Sequence, residues 1–196
     1  MCEPHCYVFG YGSLVHLEKL RSFLGRPELD PSTYHYCSLE GYKRTWNVAM
    51  HNLTDIPGYK CYLDPESSDR PDLHVTFLNI CEASDSSLNG IAFQVSEVEF
   101  ERICVRERNY DPIDVSNHLD TELPLSTVAF IAKPEAIELH ATGCSAGTSV
   151  ICAEYHQTVE ESFRSLGPEA WSTYQKSTEP IQIPIQNLVT RRIPFE

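Results

Sequence analysis

Four strand-like stretches follow one another with no helix between them, and that run constrains the fold more than any other feature. Tyr34–Leu39, Lys43–Met50 and Leu73–Cys81 alternate β-branched or aromatic residues with polar ones, and Gly90–Val95 sets Ile91, Phe93 and Val95 on one face. That is the two-residue period of half-buried strands. Consecutive strands without crossover helices pair antiparallel, because a parallel pair needs a long connection. Before the run, Cys6–Phe9 reads as a strand, Gly10–Ser13 as a turn and Leu14–Leu24 as a helix. Leu14, Leu17, Leu20 and Leu24 form the helix's apolar stripe, and Gly25 and Pro27 stop it.

After the run come a helix carrying Glu107 and strands near Thr127–Ala132 and Glu138–Ala141. Ser149–Leu166 reads as a helix with Tyr155, Val159, Phe163 and Leu166 on one face, ended by Gly167 and Pro168. A short helix over Pro168–Lys176 and an extended, proline-bearing tail at Ile181–Ile185 complete the chain. Asp55–Asp72, rich in Pro, Asp, Ser and Tyr, reads as a surface loop, and Asp111–Leu123 as another. Strands in runs with helices inserted predict an α+β fold around a mostly antiparallel sheet or barrel.

The 196 residues, 41% hydrophobic and 22% charged, fit one domain spanning positions 1–196. With 28 acidic against 15 basic residues, the net charge of −13 repels phosphate backbones and anionic membranes, which argues against a nucleic-acid or membrane partner. No apolar run approaches a membrane span. Met1-Cys2-Glu3-Pro4-His5 is not a secretory signal, so the expected compartment is the reducing cytoplasm. The eight cysteines are accordingly expected as free thiols, several acting as small hydrophobes. Cys2 and Cys6 form a C-x3-C pair with His5 between them, but no second ligand pair follows at metal-binding spacing, and none of the cysteines forms a C-x-x-C redox pair.

Two segments carry chemistry. Ser96-Glu97-Val98-Glu99 has the form of a capping box, and from it Phe100, Ile103, Cys104 and Glu107 fall on one helix face. A carboxylate thus continues an apolar stripe, and a carboxylate shielded from water can act as base or acid near neutral pH. A helix end that swings Glu107 outward, or pairing with Arg106 or Arg108, would make the same residue a solvated surface acid. The other segment is Phe9-Gly10-Tyr11-Gly12-Ser13-Leu14, where glycines allow close backbone approach and the amides opening a helix attract an anion. It lacks the third glycine of a dinucleotide fingerprint, the Gly-Lys-Ser/Thr of a phosphate loop and the serine elbow of a hydrolase. A tight turn needed only for packing has the same sequence.

Together, Tyr11-Gly12-Ser13-Leu14 after an apolar strand and Arg106-Glu107-Arg108-Asn109-Tyr110 after a capped helix resemble the γ-glutamylcyclotransferase superfamily. Gly41-Tyr42-Lys43-Arg44-Thr45-Trp46, Asn89–Val95 and the Tyr155 helix continue the resemblance over most of the chain. It implies a small mixed, mostly antiparallel β-barrel flanked by helices, with neither metal nor organic cofactor. It also implies a small-molecule γ-glutamyl substrate, cyclised to 5-oxoproline without a hydrolytic water, as in enzymes of glutathione metabolism. By that resemblance, amides around Gly12, Ser13 and Leu14 hold the substrate's α-carboxylate, Tyr11 belongs to the same binding turn, and Glu107 is the general acid and base. Tyr155 and Tyr110 match pocket-lining tyrosines, although a core tyrosine suits the Tyr155 position equally well. Arg44 and Trp46 support the pocket. Relatives often carry a tyrosine where this chain has Phe130, which favours the alternative of a catalytically silent relative that binds a small anion or a protein partner.

Overall fold

The run of four stretches folds as two long strands in the computed structural model, which describes residues 3–194. The strands are β1 (Cys6–Gly10), β2 (Tyr34–His51), β3 (Lys60–Leu63), β4 (His74–Val95), β5 (Tyr110–Asp114), β6 (Thr127–Ala132), β7 (Ser149–Cys152), β8 (Ile185–Gln186) and β9 (Val189–Arg192). β2 and β4 pair antiparallel from Tyr34 opposite Phe93 to His51 opposite His74, with register shifts at Glu40/Tyr42 and Thr45/Val48 that bend the ribbon. The polar stretch from Glu82 to Ser87 breaks the apolar alternation, so it does not read as strand. The ladder carries it nonetheless, with Ser87 opposite Glu40 and Glu82 opposite Tyr42.

The main sheet runs β5–β6–β1–β4–β7–β8, with β2 also on β4, while β3 and β9 form a separate two-stranded flap. β1–β6, β4–β7 and β7–β8 are parallel pairs, and the other pairs are antiparallel. The helices are α1 (Leu17–Leu24), α2 (Glu97–Arg106), α3 (Pro134–Ala146), α4 (Ala153–Ser165) and α5 (Pro168–Lys176). The fold is thus α+β around a mixed, mostly antiparallel sheet. Val8, Leu39, Ile80, Ile91, Ile103 and Phe163 are fully buried in one apolar cluster. No helix among the described residues is long and apolar enough to cross a membrane.

Several local expectations change. Only Leu17–Leu24 is α-helical; Ser13–Val15 is a separate 3-10 turn, and His16 caps α1 by accepting the Lys19 amide. Glu138–Ala141 lies inside α3, which Pro134 opens and the left-handed Gly147 closes, so helix punctuation outweighs a four-residue strand pattern. Ser149–Cys152 is a strand rather than the first turn of α4, because it is buried between β4 and β8. The segment Asp55–Asp72 contains β3, and Asp111–Leu123 begins within β5. The seven described cysteines are free, with Cys6, Cys37, Cys61 and Cys152 buried. Cys2, the other half of the C-x3-C pair, lies outside the described residues.

One side of the curled sheet is closed by side chains. Among the described residues no ladder joins β6 to the first half of β4. Instead the Ala132 amide donates to Asn79 Oδ1 at 2.9 Å, and the Tyr110 hydroxyl to the Leu78 carbonyl at 2.8 Å. The Leu78 amide donates to the Tyr155 hydroxyl at 3.4 Å. The end of β1 opens onto this seam.

The position of that end depends on two glycines. A Cβ at Gly10 would sit 2.8 Å from Leu14 Cβ, and one at Gly90 would overlap the Gly10 carbonyl and the Phe9 ring. Gly90→Ala therefore forces β1 away from β4 at the mouth of the seam. A loss of about 2 kcal/mol in chemical denaturation is expected, the usual cost of overpacking. An unchanged denaturation midpoint would show that the strands do not meet this closely.

Candidate active site

The 3-10 turn after β1 leaves its first amides unused. Val15 N donates to Gly12 O at 3.0 Å, but among the described residues no acceptor is bonded to the amides of Gly12, Ser13 or Leu14. These residues face a hollow of about 40 Å³, where Tyr11, Glu107, Tyr110 and Tyr155 join them. All seven residues singled out from the sequence thus border one cavity. Its volume admits roughly three water-sized groups, about the bulk of a carboxylate. Ser13, Glu107, Tyr110 and Tyr155 also border a cleft of about 960 Å³, so Glu107 stands where the small hollow meets the large one.

The local sequence explains how Glu107 gets there. Ser96 Oγ accepts the Glu99 amide while Glu99 Oε2 accepts the Ser96 amide, which starts α2 with its apolar face inward. Ile103 is fully buried, and Glu107, one turn on, is the C-cap, with its amide bonded to Ile103 O at 2.8 Å. Its side chain is 19% exposed, facing the cavity without being sealed from water. Arg106 Nε lies 3.4 Å from Glu107 Oε1, and Arg106 Nη2 donates to Ser13 Oγ at 3.1 Å. Pairing with Arg106 and facing the hollow therefore occur together, and the arginine links the carboxylate to the turn. Arg108 instead stacks on Tyr59, 5.2 Å from the ring centroid.

The three tyrosines are walls and hydrogen-bonding groups, not bases. Burial first, and then the negative charge of Glu107, pushes the Tyr11 and Tyr155 phenols up; Tyr110 rises through burial, the two neighbouring phenols and Glu107. The Tyr11 hydroxyl donates to the Phe130 carbonyl, so the backbone of residue 130 has a partner although its side chain lacks a hydroxyl. Phe130 is buried and borders the hollow.

Behind the turn lies Arg44, fully buried. Its Nε donates to Tyr11 O at 2.8 Å and its Nη1 to Ser177 Oγ at 2.7 Å, while its Nη2 donates to Asn89 O. The guanidinium lies over Phe163, 4.5 Å from the ring centroid, and over Tyr174 at 5.2 Å. Among the described residues no carboxylate pairs with it. Burial disfavours its charged form, which the carbonyls and rings offset. Trp46 stands edge-on to Tyr155, with ring centroids 6.1 Å apart.

The larger cleft brings in residues that sequence reasoning missed: Lys60 from β3, Phe77 from β4, Asn109, and Arg192 from β9. Lys60 was hidden inside a loop-like composition, although Tyr59-Lys60-Cys61-Tyr62 carries the aromatic enrichment of a short strand. It is half-buried, and desolvation lowers its pKa to about 8 despite the raising effect of Glu107.

Arg44→Met leaves the carbonyls of Tyr11 and Asn89 without their donors, and a loss of about 3 kcal/mol in denaturant unfolding is expected. Arg44→Lys recovers little of it, because one ammonium cannot reproduce the planar fork. Stability equal to wild type in both variants would contradict the anchoring role. For Lys60, the neutral amine grows as pH rises through about 8. Acetic anhydride near pH 8 should acylate Lys60 ahead of surface lysines, of which well under about 1% are then neutral. A peptide map showing Lys60 modified no faster than Lys176 would contradict the desolvated environment.

No family profile and no curated protein matches the sequence. Among solved structures, the glutathione-specific γ-glutamyl cyclotransferase from yeast superposes with a TM-score of 0.54 at 15% identity, covering 92% of this chain and 100% of the yeast chain. YkqA from Bacillus subtilis superposes with a TM-score of 0.52 at 14% identity, covering 94% of this chain. The chain spans 56% of that protein's length. These are likenesses of architecture, and they show that this chain has the γ-glutamylcyclotransferase fold.

Proposed function

We propose that the protein is a cyclotransferase that converts a γ-glutamyl compound into 5-oxoproline and a free amine or amino acid. The observation that carries this reading is that Glu107 and the unbonded amides of Gly12, Ser13 and Leu14 border one carboxylate-sized hollow. The substrate's α-carboxylate sits on those amides, which brings its α-ammonium toward Glu107. Glu107 takes a proton from the ammonium, and the freed amine attacks the γ-carbonyl carbon. The new C–N bond closes the five-membered ring and the original amide C–N bond breaks. Glu107 returns its proton to the departing nitrogen, so no water is consumed. One carboxylate suffices because the attacking and departing nitrogens meet at the same γ-carbonyl carbon, within reach of one base, and tethering makes the attack effectively unimolecular. Tyr11, Tyr110 and Tyr155, held protonated, exclude water around the reacting groups. Arg106, bonded to Ser13 and paired with Glu107, keeps the carboxylate aimed at the turn.

The test is release of 5-oxoproline from a panel of γ-glutamyl amino acids, glutathione, γ-glutamyl-lysine and γ-glutamyl amines. Glu107→Gln should lower kcat by about a thousandfold, as expected for loss of a general acid–base. Its circular dichroism and thermal midpoint should stay close to wild type, since Glu107 is at the C-cap and its backbone bond is retained. Undiminished turnover in Glu107→Gln would remove the assigned role. Silence of the wild type across the whole panel would favour a binding relative, the reading to which Phe130 points.

A further inference from the structure

The cleft beyond Glu107 is basic on a strongly acidic protein. Lys19, Lys60, Arg102, Arg106 and Arg192 border it against only two carboxylates, Glu101 and Glu107, whereas the chain as a whole carries −13. Two of these cations are set side by side. In the β3–β9 flap Lys60 stands directly opposite Arg192, an antiparallel register that points both side chains to one face. Like charges in that position repel, and among the described residues no carboxylate pairs with either.

The surroundings of Lys60 add to this. Its ammonium lies 4.0 Å from the centroid of Phe77, with Tyr59, Tyr62 and Tyr155 between 5.8 and 5.9 Å. Aromatic faces stabilise the charge without neutralising it, so it remains available to an anion. Asn109, whose buried Nδ2 has no hydrogen-bond partner among the described residues, also borders the cleft. Two cations that no carboxylate among the described residues pairs with therefore border a cavity much larger than the hollow that takes the γ-glutamyl carboxylate.

Resting on the cyclotransferase reading, we propose that Lys60 and Arg192 determine specificity by binding a second carboxylate, carried on the leaving-group side of the substrate. The preferred substrates are then γ-glutamyl amino acids or peptides with a free C-terminal carboxylate, rather than γ-glutamyl amines, whose leaving groups are neutral or cationic. The flap joins β3 to the C-terminal strand β9, so both segments contribute to the choice.

The experiment compares γ-glutamylalanine with its C-terminal carboxamide, which has the same shape and lacks the charge. Calorimetric titration into the Glu107→Gln protein reads binding apart from turnover. The carboxylate ligand should bind about tenfold or more tightly, a margin that falls with added salt. Lys60→Met and Arg192→Met, each in the Glu107→Gln background, should bring the ratio toward one, while Lys60→Arg should retain it. Equal affinity for the two ligands, tighter binding of the carboxamide, or no binding of either overturns the inference, whatever the variants do. Discrimination by charge together with no 5-oxoproline from the wild type would leave the anion site standing and remove the cyclotransferase reading. If the Met variants do not fold, the ratio in the Glu107→Gln protein alone decides.

Discussion

A guanidinium that no carboxylate among the described residues pairs with holds this structure together at the end that carries the candidate site. Arg44 belongs to β2, yet it bonds to Tyr11 in the turn after β1, to Asn89 in β4 and to Ser177 just beyond α5. Desolvating such a charge is costly, and one carboxylate would usually offset it. Here four oxygens, two of them from Asn89, and two aromatic faces do so. The bonds enter different parts of the chain, so the charge cannot keep its partners unless those parts keep their places. The turn that presents free amides is fixed from behind by its own carbonyl. That leaves the amide side of the turn facing the cavity.

The cavity exists because the sheet does not close by a ladder at this point. Where β6 and the first half of β4 part, the backbone of Leu78 would be left with unpaired groups, and buried backbone groups must find partners. Tyr110 and Tyr155 supply them with their hydroxyls. The same two rings wall the hollow, so closing the sheet and shaping the site are one task. Glu107 enters from the end of α2, a position where the helix dipole disfavours a negative charge. Arg106 beside it offsets that field and also bonds to Ser13, which couples the carboxylate to the turn.

What the sequence revealed and what it concealed follow from this arrangement. Glu107 was legible because a capping box fixed the phase of α2, and a residue seven positions after Phe100 had to share its face. Tyr11 to Leu14 were legible because glycines beside an apolar strand mark a turn with close contacts. The long strands read as halves, since the polar stretch from Glu82 to Ser87 is held by main-chain pairing and leaves no alternation to read. Ser149–Cys152 reads as helix because a short, wholly buried strand has no polar face to show its period. Lys60 and Arg192 were invisible as a pair. Their adjacency is created only when two segments more than a hundred residues apart form the flap, and neither segment alone carries that information.

The contrast between an acidic exterior and a basic cleft is governed by distance. At physiological ionic strength, charges more than about 8 Å apart across solvent are largely screened, so much of the −13 acts weakly on a ligand already in the cleft. A contact of about 4 Å at an effective dielectric near 20 is worth roughly 4 kcal/mol before desolvation is counted. Two short contacts therefore outweigh many distant ones, and local sign, not net charge, decides what the cleft accepts. The exterior still acts during approach, where it slows anions that would otherwise reach the cleft nonspecifically. On the proposed reading, an acidic protein with a basic pocket favours anions small enough to leave the surface field behind and to meet Lys60 and Arg192 at short range.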